Sequence, residues 1–184
     1  MNTSEKQKIN TFELVLFAIL GALTFAAKLA LSFIPNVHLS GLLIVVFTLC
    51  LGKKALIPIY IYVILEGVFY GFNVWWVPYL YVWAVLWGMT YIVMKIMPEK
   101  TPKIIKMIIY SLITGIHGLS FGTLFTFGFA PLMNMNLNAA KAWIIAGLPF
   151  DIIHGISNFI LGFLIIPLSE LMKKLLKSKK RFTN

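Results

Sequence analysis

Apolar residues fall into six long blocks separated by short clusters of Pro, Gly, Asn and Lys. The pattern predicts helices over about 11–34, 39–51, 55–71, 74–97, 104–129 and 142–172. The intervening stretches "IPNVH", "LGKK", "YGFN", "MPEKTPK" and "APLMNMNLNAAK" each carry residues that end helices. Crossing a hydrocarbon core of ~30 Å takes roughly 20 apolar residues. Six such crossings exhaust a chain of 184 residues. The second block is short, so that span is tilted, broken, or thins the bilayer locally. The expected fold is all-α: one polytopic membrane domain over 1–184, with a polar segment at 1–10 and a basic tail at 173–184.

Composition agrees, with 60% of residues hydrophobic and only 12% charged, against roughly 25% charged in soluble domains. The net charge of +10 does not point to nucleic acid, because the lysines sit at the ends of apolar runs and no basic stretch interleaves with aromatics. It orients the helices instead. Fourteen of the sixteen basic residues, among them Lys6, Lys53, Lys54, Lys95, Lys103, Lys106 and Lys173, fall on one side of a six-span arrangement. By the positive-inside rule that side and both termini are cytoplasmic. Lys28 and Lys141 belong to the outer half. The first apolar run is too long for a signal-peptide core and is expected to stay as a helix. A lone cysteine, Cys50, excludes an internal disulfide and a cysteine-based metal site.

The chemistry the sequence lacks is equally informative. There is no G-x-x-x-x-G-K-[ST] phosphate loop, so the chain cannot itself hydrolyse ATP, and no relay of intramembrane acids suggests ion coupling. No cofactor or metal site is expected. Uphill transport would need a partner to supply the work.

Polar residues within the apolar blocks concentrate toward the outer side. Glu66 lies about five residues, or ~7.5 Å, below the outer end of the third helix, with Tyr70 and Asn73 at its rim. "WWVPYLYVW" then presents Trp75, Trp76, Tyr79, Tyr81 and Trp83. An interfacial belt accounts for one or two of these aromatics; an aromatic-walled pocket with a few placed polar groups accounts for more. Lys28 either snorkels to the headgroups, pairs with Glu66, or meets an anionic group of a ligand. Outside, Asn134, Asn136, Asn138 and Lys141 form a hydrogen-bonding loop that covers a pocket or is simply solvated. On the sixth helix "GLPFDIIHGISNF" places Asp151, His154 and Asn158 at i, i+3 and i+7, on one face. Ionisable side chains within a membrane face the bundle interior, where these three either bind a solute or tie helices together. His117 on the fifth helix is expected to be a packing partner of that network.

Two motifs remain. "GLSFG" matches G-x-S-x-G, with His117 and His154 as conceivable activators of Ser120 in an intramembrane serine hydrolase; the strand-to-helix elbow of the soluble motif is absent, and Gly and Ser are also usual at close helix contacts. On the first helix Ala18, Ala22 and Ala26 recur at i, i+4 and i+8, a stripe that lets another helix approach closely, within the chain or from a partner.

The alanine stripe, the short six-helix layout, the aromatic outer mouth and "GLPFDIIHGISNFILG" together resemble the substrate-binding S component of an energy-coupling factor (ECF) transporter. The resemblance implies a non-enzymatic subunit of a bacterial cell membrane that captures a vitamin-like micronutrient at the outer face. It further implies association with a membrane scaffold subunit and two cytoplasmic ATPases, and toppling within the bilayer to release solute. On that likeness Ala18, Ala22 and Ala26 meet the scaffold, and Glu66, Asn73, Trp75, Trp76, Tyr79, Trp83, Asn138, Asp151 and His154 contribute the substrate site. A structural or regulatory membrane subunit, in which the same polar groups only specify packing, is the alternative.

Overall fold

A computed structural model describes residues 9–182, with side chains through Ser178; the first eight residues of the polar N-terminal segment and the side chains at the end of the basic tail lie outside the described residues. The chain is 83% helical, with no strand among the described residues. The helices are α1 (Thr11–Ala30), α2 (Ser40–Leu51), α3 (Leu56–Tyr70), α4 (Tyr79–Ile96), α5 (Lys103–Leu119), α6 (Phe121–Leu132), α7 (Leu137–Gly162) and α8 (Ile165–Phe182), with single 3-10 turns at Gly52–Ala55 and Val74–Trp76.

Five stretches are long and apolar enough to cross a membrane: Thr11–Ala30, Ser40–Tyr70, Val74–Ile96, Lys103–Leu132 and Leu137–Gly162. The second of these is not one rod. Ser40 Oγ donates to the Tyr62 hydroxyl at 3.3 Å, although a straight helix would hold residues so far apart in sequence roughly 33 Å from each other. The chain therefore folds back at Gly52, whose φ of 58° lies in the left-handed region where glycine carries no Cβ penalty. The Trp87 indole donates to the Gly52 carbonyl at 3.1 Å and fixes the turn.

The predicted fifth and sixth helices are each divided. Ser120 ends α5, its hydroxyl donating to the Ile116 carbonyl at 2.9 Å, a back-bond that bends helices. The Ile116–Ser120–Leu124 ladder nevertheless continues through the joint, so α6 carries on beyond α5. The other division has a steric cause. Pro167 has no N–H, and its ring would collide with the Phe163 carbonyl in a continuous helix. The turn at Phe163 and Leu164 tightens to i→i−3 bonds, and α8 begins afresh.

The pattern of burial is inside out for a water-soluble protein. Along α7 the residues turned inward are Asp151, His154, Gly155, Asn158 and Gly162, whereas Ile152, Ile153, Ile156 and Ile160 are exposed. That distribution suits an apolar solvent. The α2 helix is short but buried on nearly all sides, from Ser40 to Thr48, and packs chiefly against α4 and α8. A helix apolar all round belongs at the centre of a bundle, so its limited length is not felt by lipid.

The largest interface joins α5 to α7 and is built from glycine. A Cβ on Gly118 would lie 2.9 Å from the Gly155 Cα and from the His154 carbonyl. One on Gly155 would lie 2.4 Å from Leu119, and one on Gly162 2.5 Å from the Ser111 Cα. Small residues permit this backbone approach, and dispersion replaces the hydrophobic driving force that lipid cannot provide.

At one end of the bundle Glu13, which closes a capping box with Asn10, pairs with Lys54. Lys103 pairs with Glu170 at the same end, beside Lys106 and Lys173. The candidate site lies at the opposite end.

Candidate functional site

Away from the lysine-rich end, the last turn of α1, the 31–39 segment, Tyr70, Tyr79, Phe121 and His154 enclose a cavity of about 280 Å³. Of two larger grooves at the lysine-rich end, the one of about 680 Å³ is lined by Glu170, Lys173, Lys174, Lys177 and Ser178, and the one of about 420 Å³ mixes lysine and glutamate with apolar side chains such as Leu49, Met94, Met97 and Ile166. The smaller cavity is different because imidazole nitrogens of His38 and His154 on its wall are buried without hydrogen-bond partners.

Two of the three histidines, His38 and His154, line it, and His117 stands behind the wall against Trp83 and Phe121. His38 and His154 stand edge to face with ring centroids 4.6 Å apart, and the Trp83 indole lies 6.3 Å from His38 and 5.8 Å from His117. One nitrogen of each imidazole, His38 Nδ1, His117 Nδ1 and His154 Nε2, is buried without a hydrogen-bond partner, as are Trp83 Nε1 and Glu66 Oε1. His117 is fixed through its other nitrogen, 3.0 Å from the Val82 carbonyl. Unpaired buried polar atoms each cost about 1–3 kcal/mol. Two of these, on His38 and His154, are on the cavity wall and the other three stand behind it, a place suited to further polar atoms; Ser111 Oγ and both polar atoms of Asn158, on α5 and α7 away from the lining, are buried without partners as well.

The charged members are arranged as a pair. Lys28, on the cavity wall, is bonded to Glu66 Oε2, which lies fully buried behind it. The ammonium also sits 5.6 Å from the Tyr70 ring centroid and 5.3 Å from that of Tyr79, in range for cation–π attraction. Of the three roles open to Lys28 from sequence, the structure adopts pairing with Glu66. His38 lies in the connecting segment, and burial, followed by the nearby Lys28 and His117, lowers its pKa to about 4. It is uncharged at neutral pH.

The 31–39 segment that brings His38 into place is shaped by Asn36, whose φ of 58° asparagine tolerates better than most residues. Its carbonyl accepts a 3.2 Å hydrogen bond from Ser157 on α7. Phe121 closes another side, 5.0 Å from His154 between ring centroids.

The residues singled out from sequence separate into three groups. Tyr79 and His154 line the cavity, while Glu66 and Trp83 stand directly behind its wall. Trp75 supports Tyr79 and Tyr70 from the rim, at 5.4 and 6.4 Å. The remainder are occupied elsewhere. The Trp76 indole donates to the Val63 carbonyl at 2.8 Å, Asn73 caps the 3-10 turn, and Asn138 is exposed in the first turn of α7. Both carboxylate oxygens of Asp151 accept from the Gly122 N–H, at 3.0 and 3.1 Å, so that Asp151 caps α6 from a neighbouring helix. Tyr81 turns away to α6, accepting from the Gly128 N–H at 2.9 Å. Asn158 is buried between Gly41 and Gly118.

Sequence reading singled out neither His38 nor Phe121 as a site residue. The available signal was the scarcity of histidine: His38 in "IPNVHLS" is one of only three and falls on the same side as Glu66.

Ser120 makes hydrogen bonds only to backbone, donating to the carbonyls of Ile116 and His117. No histidine nitrogen is within hydrogen-bond reach of its hydroxyl, so the geometry gives the hydrolase alternative no support. Among the described residues no three His, Cys, Asp or Glu side chains are grouped to hold a metal ion. On α1, Ala18, Ala22 and Ala26 are all exposed, whereas the adjacent Gly21 is buried against Ile61 and Pro58 of α3. The stripe is thus unoccupied by the chain's own helices. Comparison with protein-family models, curated proteins and solved structures found no match.

Proposed function

We propose that this chain is the solute-binding membrane subunit of an ECF-type importer, which captures a vitamin-like micronutrient in the cavity between α1, the 31–39 segment, α4 and α7. The observation that carries the reading is the cavity itself: aromatic walls and buried imidazole nitrogens left without partners, the make-up of a small-molecule site. Two further features support the reading. The outward alanine stripe offers a partner helix a close seat, and with no phosphate loop in the sequence the energy must come from ATPases recruited through a scaffold. By the positive-inside rule, this reading has the lysine-rich end and both termini facing the cytoplasm and the cavity facing outward.

The direct test is mass spectrometry of small molecules released from the purified protein, followed by uptake of the identified compound in cells with and without a coexpressed scaffold and ATPase pair. Stoichiometric copurification and partner-dependent uptake are expected. A preparation that carries no small molecule and supports no uptake with any ECF module would return the chain to the structural-subunit reading.

A further inference from the structure

Resting on the solute-binding reading, we infer that the ligand of this cavity is an uncharged planar heterocycle, held by hydrogen bonds to Lys28, His38 and His154 and not by an ion pair. Size comes first. At about 280 Å³ the cavity matches roughly nine waters at ~30 Å³ each and falls at the small end of the ~300–1,000 Å³ range of ligand sites. One ring, or two fused rings with short substituents, fills it.

The walls favour a flat occupant. Tyr79, Phe121, His38 and His154 present ring edges and faces to one another at interplanar angles of 65–78°, an arrangement that receives another ring by edge-to-face or offset contact.

Charge balance decides the rest. Lys28 and Glu66 neutralise each other, and no other Lys, Arg, Asp or Glu lines the cavity. No ion pair among the described residues involves a histidine. An anionic ligand drawn to Lys28 would share that single positive charge with the buried Glu66 carboxylate. A cationic ligand would meet the Lys28 ammonium on the wall. Either way one charge is left uncompensated beside the fully buried Glu66 carboxylate, which is costly.

Hydrogen bonding carries no such conflict. Lys28 has three N–H donors, of which Glu66 takes one, and a neutral imidazole nitrogen donates or accepts according to its tautomer. The unpartnered His38 Nδ1 and His154 Nε2 therefore offer two bonds to a ring edge, while Lys28 offers a donor to a carbonyl-type oxygen.

The test uses matched triplets of pyridine, pyrimidine and pyrazine rings bearing a carboxamide, a carboxylate, or a carboxamide with an N-methylated cationic ring, titrated into the purified full-length protein. Tryptophan fluorescence and thermal shift both report, since Trp83 adjoins the site. At least one uncharged carboxamide should bind ten-fold or more tightly than its two charged counterparts. Glu66→Gln, which uncovers the Lys28 charge, should shift preference toward the carboxylates, and a Lys28→Met/Glu66→Gln double variant, neutral again, should restore it. Preference for a charged member in the unaltered protein, no change of preference in Glu66→Gln, or silence of every probe each overturns the inference. The copurification experiment is blind to ligand charge, so the solute-binding reading is judged separately.

Discussion

Asp151 is spent on one N–H. Its carboxylate closes the first turn of α6 by accepting from Gly122, a turn whose own N-cap, Ser120, supplies no side-chain bond. Loss of an N-cap acceptor costs roughly 0.5–2 kcal/mol. Asp151→Ala should therefore lower thermal stability by that order, while Asp151→Asn, which keeps an acceptor oxygen, should lower it less; equal losses in thermal unfolding would show that the carboxylate charge and not the bond matters. His38 supports a pH prediction. Its pKa in the folded protein, about 4, is below the ~6.5 of a free imidazole. Above the higher value both folded and unfolded states are neutral. Between the two, the unfolded chain gains a proton that the folded one refuses, so stability falls as pH drops from about 6.5 to about 4 and then levels. The groups facing His38 are Lys28 from α1, Trp83 from α4, His117 from α5 and His154 from α7, so a single-residue share is read by difference. Thermal unfolding of His38→Asn should show a shallower decline across that window; an identical profile would remove His38 as the source.

At the scale of helices, glycine decides which pair is closest. Gly118 faces backbone on both counts, the Gly155 Cα and the His154 carbonyl, and neither can yield as a flexible side chain does. Gly118→Val should force α5 and α7 apart and cost at least the 1–3 kcal/mol typical of overpacking, whereas valine at Gly88, where a Cβ meets nothing within 4 Å, should be nearly neutral. Comparable unfolding temperatures for the two variants would contradict the seam. Gly118 belongs to "GLSFG", whose Gly and Ser were expected at a close helix contact; the glycines of "GISNFILG" that complete the seam were not singled out. The breaks at Ser120 and before Pro167 were harder to see. Hydropathy averages over a joint without registering it, and only the proline carried a local steric signal.

For the whole molecule, the all-helical class and the order of the apolar blocks were legible because lipid demands long apolar runs that connections interrupt, whereas the helix count was not: the six expected spans appear as eight α-helices among the described residues, the fifth and sixth each divided. The cavity was only half legible. Glu66, Tyr79, Trp83 and His154 stood out as polar or aromatic groups within apolar blocks, but His38 sits in a connection, where polarity is ordinary, and only the fold-back of α2 and α3 brings it opposite α7. Orientation is open to a simple measurement. In a Cys50→Ala background, cysteine at Asn136 should react with an impermeant thiol reagent in intact cells and cysteine at Pro102 should not; the reverse would place the cavity toward the cytoplasm. Partner binding is likewise testable at this scale. Ala22→Trp on the exposed stripe should abolish uptake yet leave ligand affinity within about twofold, and equal loss of both would make the stripe part of the binding fold. The glycine seam has a mechanical consequence as well. Two helices touching backbone to backbone resist shear and bending together, so α5 and α7 act as one stiff beam that carries His117 and His154. The opposing wall is tied to that beam by the Ser157–Asn36 hydrogen bond, a far weaker fastening than interlocked backbone. On the solute-binding proposal, the beam supplies a fixed reference, and any give that a solute requires falls on the side of the 31–39 segment.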